Sequence, residues 1–303
     1  MDHEEALTAK VAWYYYCQEM TQQQISDRLG ISRMRVVKLL DRARRTGVIR
    51  FHLREGSAQR TDLERQLMDA YSLTDAFIVP APEDPAYSNA NIAEAASMYL
   101  AERLRRDTVI NIGYGDTLNR VLNNLAAMAE EAITCVSLTG GVSPYLPDTR
   151  AAAFNAHLRL IPAPLLASTA EMAEAMLREE SIAGILRMIP LSQVTVVGIG
   201  SMDENATIFR TGVLNENDLA YLKMRGAIGD LLSHFLTRDG TLVDSPVESR
   251  LIGTSLETLL SLHRVVGVAA GTVKAEAIRA VLRGGFLDIL VTDDRTAEKI
   301  LSL

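Results

Sequence analysis

The chain opens with helical periodicity. Residues 7–19, LTAKVAWYYYCQE, put Leu7, Val11, Tyr14 and Tyr15 on one side of a predicted helix. The rings from Trp13 to Tyr16 suit the core of a small helical domain, where aromatics bury much area; base stacking is the alternative. Thr21 and Gln24 form a T-x-x-Q capping box, which predicts a second short helix through Leu29 with Ile25 and Leu29 inward. Gly30 follows as a turn, and Ser32 is the N-cap candidate of a third helix reaching about Thr46. On that helix Arg35, Lys38, Arg42 and Arg45 share one face, and Val36, Val37, Leu40 and Ala43 lie opposite. Gly47 ends it, and the alternation in VIRFHL, residues 48–53, predicts the strand of a wing. Two short helices, a tight turn and a cationic outer face make a winged helix-turn-helix over residues 1–56.

Past a polar stretch at 55–62, EGSAQRTD, which reads as a linker, the period changes. A helix is predicted at 63–71. Short β-rich runs then follow at 76–79, 108–112, 134–138, 194–199, 265–269 and 287–292. Between them lie helical stretches at 89–105, 116–130, 149–158, 170–188, 272–283 and 294–302. This alternation predicts an α/β domain over residues 57–303, a Rossmann-like, mainly parallel sheet covered by helices. Asp239-Gly240 marks a hairpin insertion.

Four of the predicted strands run into glycines: Gly113-Tyr114-Gly115-Asp116, Thr139-Gly140-Gly141-Val142, Gly198-Ile199-Gly200 and Gly271-Thr272-Val273-Lys274. Ligands of open α/β sheets bind beyond the carboxyl ends of the strands, where glycines let backbone come close and helix N-termini attract anions. The first loop lacks the third glycine of the dinucleotide fingerprint, and no cofactor or metal is implied. Lys274 falls in the first turn of a predicted helix, against its dipole, which is tolerable in solvent or beside an anionic or polyhydroxyl ligand. Asp116 and Asp230 are short carboxylates beside glycines; they suit sugar hydroxyls, with N-capping as the alternative. Asn155 and His157 fall on the predicted helix after the second glycine loop, Asn155 as a candidate effector contact and His157 with a structural role.

Charge separates the two parts further. The net charge is −7, yet residues 1–60 hold eleven Lys/Arg against seven Asp/Glu. Within 28–54 there are nine basic residues and one acid, Asp41. A short basic segment on an acidic protein suggests a local face for nucleic acid. Ser32, Arg33, Met34 and Arg35 stand where base edges are reached, Lys38, Arg42 and Arg44 where phosphates are, and Thr21 and Gln22 are further DNA-binding candidates. No apolar run is long enough for a membrane span, so no membrane partner is expected. Two distant cysteines, Cys17 and Cys135, and an acidic N-terminus fit a cytoplasmic protein.

The assembled motifs resemble the SorC family of sugar-responsive bacterial transcription regulators. The resemblance rests on VAWYYYCQEMTQQQISDRLGISRMRVVKLLDRARRTGVI, then on INIGYGDT, SLTGGV, IPAPLLAS, VVGIGS, RGAIGD and GVAAGTVKAEAIRAVLRGGFLDILVTD. It implies an effector domain related to the sugar-phosphate isomerases, operator DNA and a small carbohydrate or sugar phosphate as partners, and a homo-oligomer, commonly a tetramer. Carried onto this chain, effector contacts would include Gly115, Asp116, Thr139, Gly140, Gly141, Val142, Asp230 and Lys274. Phosphate-binding relatives can carry an arginine after the turn that is Pro162-Ala163-Pro164 here; this chain has Leu165 and Leu166, which opens the way to an unphosphorylated sugar or polyol. A sugar-phosphate isomerase with an added DNA-binding domain is the rival. It would need a placed general base, and nothing pairs Asp116 or Asp230 with a second catalytic group.

Overall fold

The computed structural model describes every residue except 1–2, 50–54, 105–107, 129–132, 142–155 and 205. The chain divides into two compact units, Met1–Ala58 and Gln59–Leu303.

The first unit holds α1 (His3–Tyr16), α2 (Gln22–Leu29) and α3 (Arg33–Arg45). The Thr21 hydroxyl accepts from the Gln24 amide at 3.3 Å, while the Gln24 side chain accepts from the Thr21 amide at 2.8 Å. That box satisfies two amides a helix start would otherwise leave bare. Gly30 closes α2 in the left-handed region, and the Ser32 hydroxyl caps α3 by accepting from the Arg35 amide at 3.2 Å. Val11, Tyr14, Ile25, Val36, Leu39 and Leu40 make the core. Two expectations shift. Of the aromatic run only Tyr14 is fully buried, and Trp13 lies exposed. Leu39, not Val37, faces inward, because burial on α3 centres on the side carrying Val36, Leu40 and Ala43. Val48 and Ile49 lie in a bend, and the rest of the expected wing strand lies outside the described residues.

The expected linker is helical. α4 runs unbroken over Glu55–Tyr71, its polar start lying on the solvent side while Leu63 and Leu67 are buried. Asp62 supports the exposed face by accepting from Arg65 and Gln66, both at 2.7 Å. A polar stretch therefore marked a solvated helix face rather than an unstructured joint.

Among the described residues nine strands form one sheet: β1 (Asp75–Val79), β2 (Val109–Ile112), β3 (Ile133–Ser137), β4 (Ala156–Arg159), β5 (Val194–Ser201), β6 (Gly229–Leu231), β7 (His234–Leu236), β8 (Val265–Val268) and β9 (Ile289–Asp293). Seven are parallel in the order β1-β9-β8-β5-β2-β3-β4. Helices 88–101 and 116–128 pack Ile92, Leu100, Leu118 and Leu122 on one face; Val281, Leu282 and Ile300 join the core on the other. β4 replaces the end of the helix expected at 149–158, whose residues 149–155 lie outside the described set. Its sequence AHLR alternates half-buried and exposed, the period of an edge strand. His157 is exposed there rather than set on a helix. The expected helix 170–188 breaks at Glu179, whose extended backbone separates helices 170–178 and 180–186.

β5 is the pivotal strand. Residues 195–198 pair in parallel with β8, and residues 199–201 pair antiparallel with β6. The β6–β7 hairpin thus hangs from the end of a central strand. Its turn residues, Leu232 and Ser233, both have positive φ, 55° and 70°. A two-residue hairpin needs this geometry, but a leucine adopts it only under strain. The Asp239-Gly240 turn lies where expected, closed by a bond from the Thr237 amide to the Thr241 carbonyl at 2.8 Å.

Candidate functional site

The sheet order reverses at β2 and β5. From β2 the chain moves outward to β3 and β4, then returns to β5 and passes to β8 and β9. Crevices open at such switch points beyond the strand carboxyl ends. Here the crevice is a cavity of ≈ 980 Å³, within reach of a monosaccharide-sized ligand. Three of the four glycine loops line it, with Gly115 and Asp116 after β2, Gly198 and Gly200 on β5, and Gly271 to Lys274 after β8.

Asp230 stands on β6 opposite Gly200. A Cβ at residue 200 would sit 1.9 Å from the Asp230 Oδ1, so only glycine leaves room for this carboxylate. The Ser233 amide donates to the Asp230 Oδ2 at 3.0 Å. Burial pushes the Asp230 carboxyl above the usual range, against that amide and the charges of Lys274 and His234. Burial likewise lowers the Lys274 ammonium, opposed by Asp230, Asp203 and Asp116. Lys274 precedes the helix Ala275–Arg283 and makes no capping bond. A half-buried acid and a half-buried base thus line one cavity.

Asp116 opens the helix Asp116–Met128 and accepts from the Asn89 Nδ2 and the Arg120 Nε, both at 3.1 Å. Tyr114 reaches across to Thr211, 3.3 Å between hydroxyl oxygens. Sequence reasoning missed Arg120, Ser201, Asp203, Arg210 and Ser233, all of which line the cavity. Ser233 carried the one available signal, since it lies three residues beyond Asp230 in a segment already marked by glycines. Its hydroxyl is buried with no partner within the described residues.

The remaining glycine loop behaves differently. Thr139, Gly140 and Gly141 do not line the cavity. The Gly140 amide donates to the Ile252 carbonyl and the Gly141 amide to the Ala163 carbonyl, each at 2.8 Å. These donors, expected to face an effector, are engaged within the protein. A Cβ on Gly140 would lie 2.2 Å from the Pro164 carbonyl oxygen, so the glycine serves close packing. Val142 and Asn155 lie outside the described residues.

The helix-turn-helix places its candidates along α3. Arg33, Met34 and Lys38 are exposed, and the Arg33 Nε donates to the Gln22 Oε1 at 3.4 Å. Arg35 and Arg42 are not free. One carboxylate, Glu4 of α1, takes both at 2.6 Å, one oxygen each. The two guanidiniums hold the Glu4 carboxyl below its usual range. Thr21 and Ser32 are caps whose hydroxyls accept backbone amides.

Residues 57–302 match the family described as "Putative sugar-binding domain", and residues 11–46 match "Sigma-70, region 4". The transcriptional regulator LsrR of Klebsiella pneumoniae subsp. pneumoniae is 34% identical, over 99% of this chain and 94% of that protein. The full-length sorbitol operon regulator SorC of Klebsiella pneumoniae superposes with a TM-score of 0.70 at 25% identity, covering 99% of this chain and all of that one. The chain belongs to the SorC family of sugar-binding transcriptional regulators. A DeoR family transcriptional regulator from Listeria monocytogenes also superposes at 0.70, with 26% identity over 79% of this chain and 98% of that one. These relatives are named as regulators and not as enzymes, which sets the isomerase alternative aside. Among the described residues no helix is long and apolar enough to cross a membrane.

Proposed function

We propose that the helix-turn-helix grips operator DNA and that a small sugar, polyol or sugar phosphate in the cavity changes the strength of that grip. The observation that carries this is the cavity at the glycine-lined switch point, into which the half-buried Asp230 and Lys274 and the Ser233 hydroxyl, buried without a partner among the described residues, are gathered. A buried hydroxyl without a partner costs free energy, and a ligand hydroxyl would supply one to Ser233. Asp116 and Asp230 accept from hydroxyls, the Ser233 hydroxyl both donates and accepts, and Lys274 donates. The relative named as a sorbitol operon regulator supports a polyol. Arg210 and Lys274 in the lining offer contacts to a phosphate, while Asp116, Asp203 and Asp230 balance the cations there and Arg120 is paired with Asp116.

An effector shifts DNA affinity only by binding one state of the protein better than the other. The test is fluorescence anisotropy with a duplex selected from a randomised pool, titrated with a panel of hexoses, hexitols and their phosphates. One panel member should change wild-type affinity. Lys274→Ala should bind a phosphorylated effector roughly 10- to 100-fold more weakly, the worth of a charge-assisted contact. Asp230→Ala should matter more for a neutral polyol. Both variants should still bind the duplex, since the DNA candidates belong to the other unit. Unchanged effector responses in both would refute the site. A single helix-turn-helix reads few base pairs, so paired half-sites require at least a dimer. A cytoplasmic tetramer is the proposed assembly, checked by light scattering of the full chain; a monomer with and without DNA would refute it.

A further inference from the structure

We infer that Met34 and Val37 read thymine methyl groups and so set part of the operator sequence. The inference rests on the DNA-binding role of α3. Four side chains, Val36, Leu39, Leu40 and Ala43, bury one side of this helix. At 100° per residue the opposite side centres on Met34, Lys38, Asp41 and Arg45, with Val37 beside Met34. Met34 is 65% exposed and Val37 37%, in a helix that buries its other large aliphatic residues. Among the described residues of the first unit both stay open to solvent. Beside them stand Arg33 and Lys38, and further along the face Asp41, Arg44 and Arg45, all exposed, with Asp41 paired to Arg45 at 3.0 Å.

Arg35 and Arg42 lie on the flank toward α1, held by Glu4. With Arg35 and Arg42 drawn to that flank, the centre of the outer face falls to other side chains. What remains at the N-terminal end of α3 is apolar at its centre and cationic at its rim. A major groove offers the complement: anionic phosphates at the edges, and a single apolar group on the base edges, the thymine C5 methyl. Positions 34 and 37 are one helical turn apart, so the two side chains face neighbouring base steps. Methionine, unbranched and polarizable, and valine, stiff at χ1, both suit contact with a methyl and offer no hydrogen bond to other bases.

The experiment replaces thymine by deoxyuridine, which removes only the methyl. The full chain first selects duplexes from a randomised pool, and each thymine of the selected site is then exchanged singly. Wild-type protein should lose about fourfold in affinity at one or two positions, the worth of burying one methyl. Met34→Ala should no longer distinguish thymine from deoxyuridine at one of them, and Val37→Ala at the other. Both should match wild type on random duplex at low salt, where phosphate contacts dominate. A selected site without thymine, equal wild-type affinity for every exchanged duplex, or variants that keep the discrimination would overturn the inference while leaving DNA binding intact. Failure of the wild type to bind any duplex in a salt-dependent way would instead overturn the DNA-binding role itself.

Discussion

Replacing Glu248 by Gln tests the support beneath Asp230. His234 of β7 is nearly inaccessible, and its Nδ1 lies 2.8 and 3.0 Å from the two Glu248 oxygens. Its Nε2 lies 2.9 Å from the Thr254 carbonyl oxygen. A neutral imidazole donates through one nitrogen only, so its other lone pair would face an oxygen. Both contacts are satisfied when the ring carries two protons. Glu248 and the Thr254 carbonyl accordingly raise the His234 pKa above its usual value, although burial alone would lower it. Glu248→Gln removes the charge partner and should cost about 2 kcal/mol, a charge-assisted hydrogen bond. The unit Gln59–Leu303 should melt with an entropy near 0.5 kcal/mol/K at ~2.1 cal/mol/K per residue, so its Tm should fall by about 4 °C. The sign follows from the raised pKa. The contribution is complete below ~pH 6.5, the unfolded value, and fades as pH rises through the higher folded value. Scanning calorimetry from about pH 6 to 9 should therefore show the gap between wild type and variant narrowing with rising pH. A gap that is constant across that range, or absent at pH 6, would refute the imidazolium.

Two further outcomes follow from contacts already described. Gly200→Ala should expel the Asp230 carboxylate, because the new Cβ would lie 1.9 Å from its Oδ1. Effector binding measured by calorimetry should fall at least as far as in Asp230→Ala, with roughly 1–3 kcal/mol of stability lost to overpacking. Glu4→Gln should free Arg35 and Arg42 for phosphates, and the slope of log affinity against log salt should steepen by about 0.9 per added phosphate contact. An unchanged slope would mean that the pair stays out of reach of DNA.

Elements whose instructions are local were legible. Thr21 with Gln24, Gly30 and Ser32 each fix a helix end within a few residues, and the helix-turn-helix follows from them. The parallel strands announced themselves as short apolar runs because both their faces are buried. The β6–β7 hairpin was hidden because its turn is Leu232-Ser233, without the glycine or asparagine that signals positive φ. β4 is four residues with a two-residue period, too short to compete with a helical pattern. In the site, Asp116, Asp230 and Lys274 were visible beside glycines. Arg210 was not, because its helix spans only Thr207–Arg210 and reaches the cavity through tertiary packing. The roles of Arg35 and Arg42 depended on Glu4, more than thirty residues away in sequence and adjacent only after folding.

The double pairing of β5 has a thermodynamic consequence for finding the effector. A ligand bound beside Gly200, and beside Asp230 paired to it on β6, would pull on β5, the innermost strand of the parallel sheet. Such a ligand has no separately melting lobe to protect. Its binding energy is added to the unfolding of the whole sheet, about 2.7 kcal/mol at a hundredfold excess over Kd. Occupancy should therefore register as a displaced global melting transition, visible for unlabelled candidates in any mixture and without DNA.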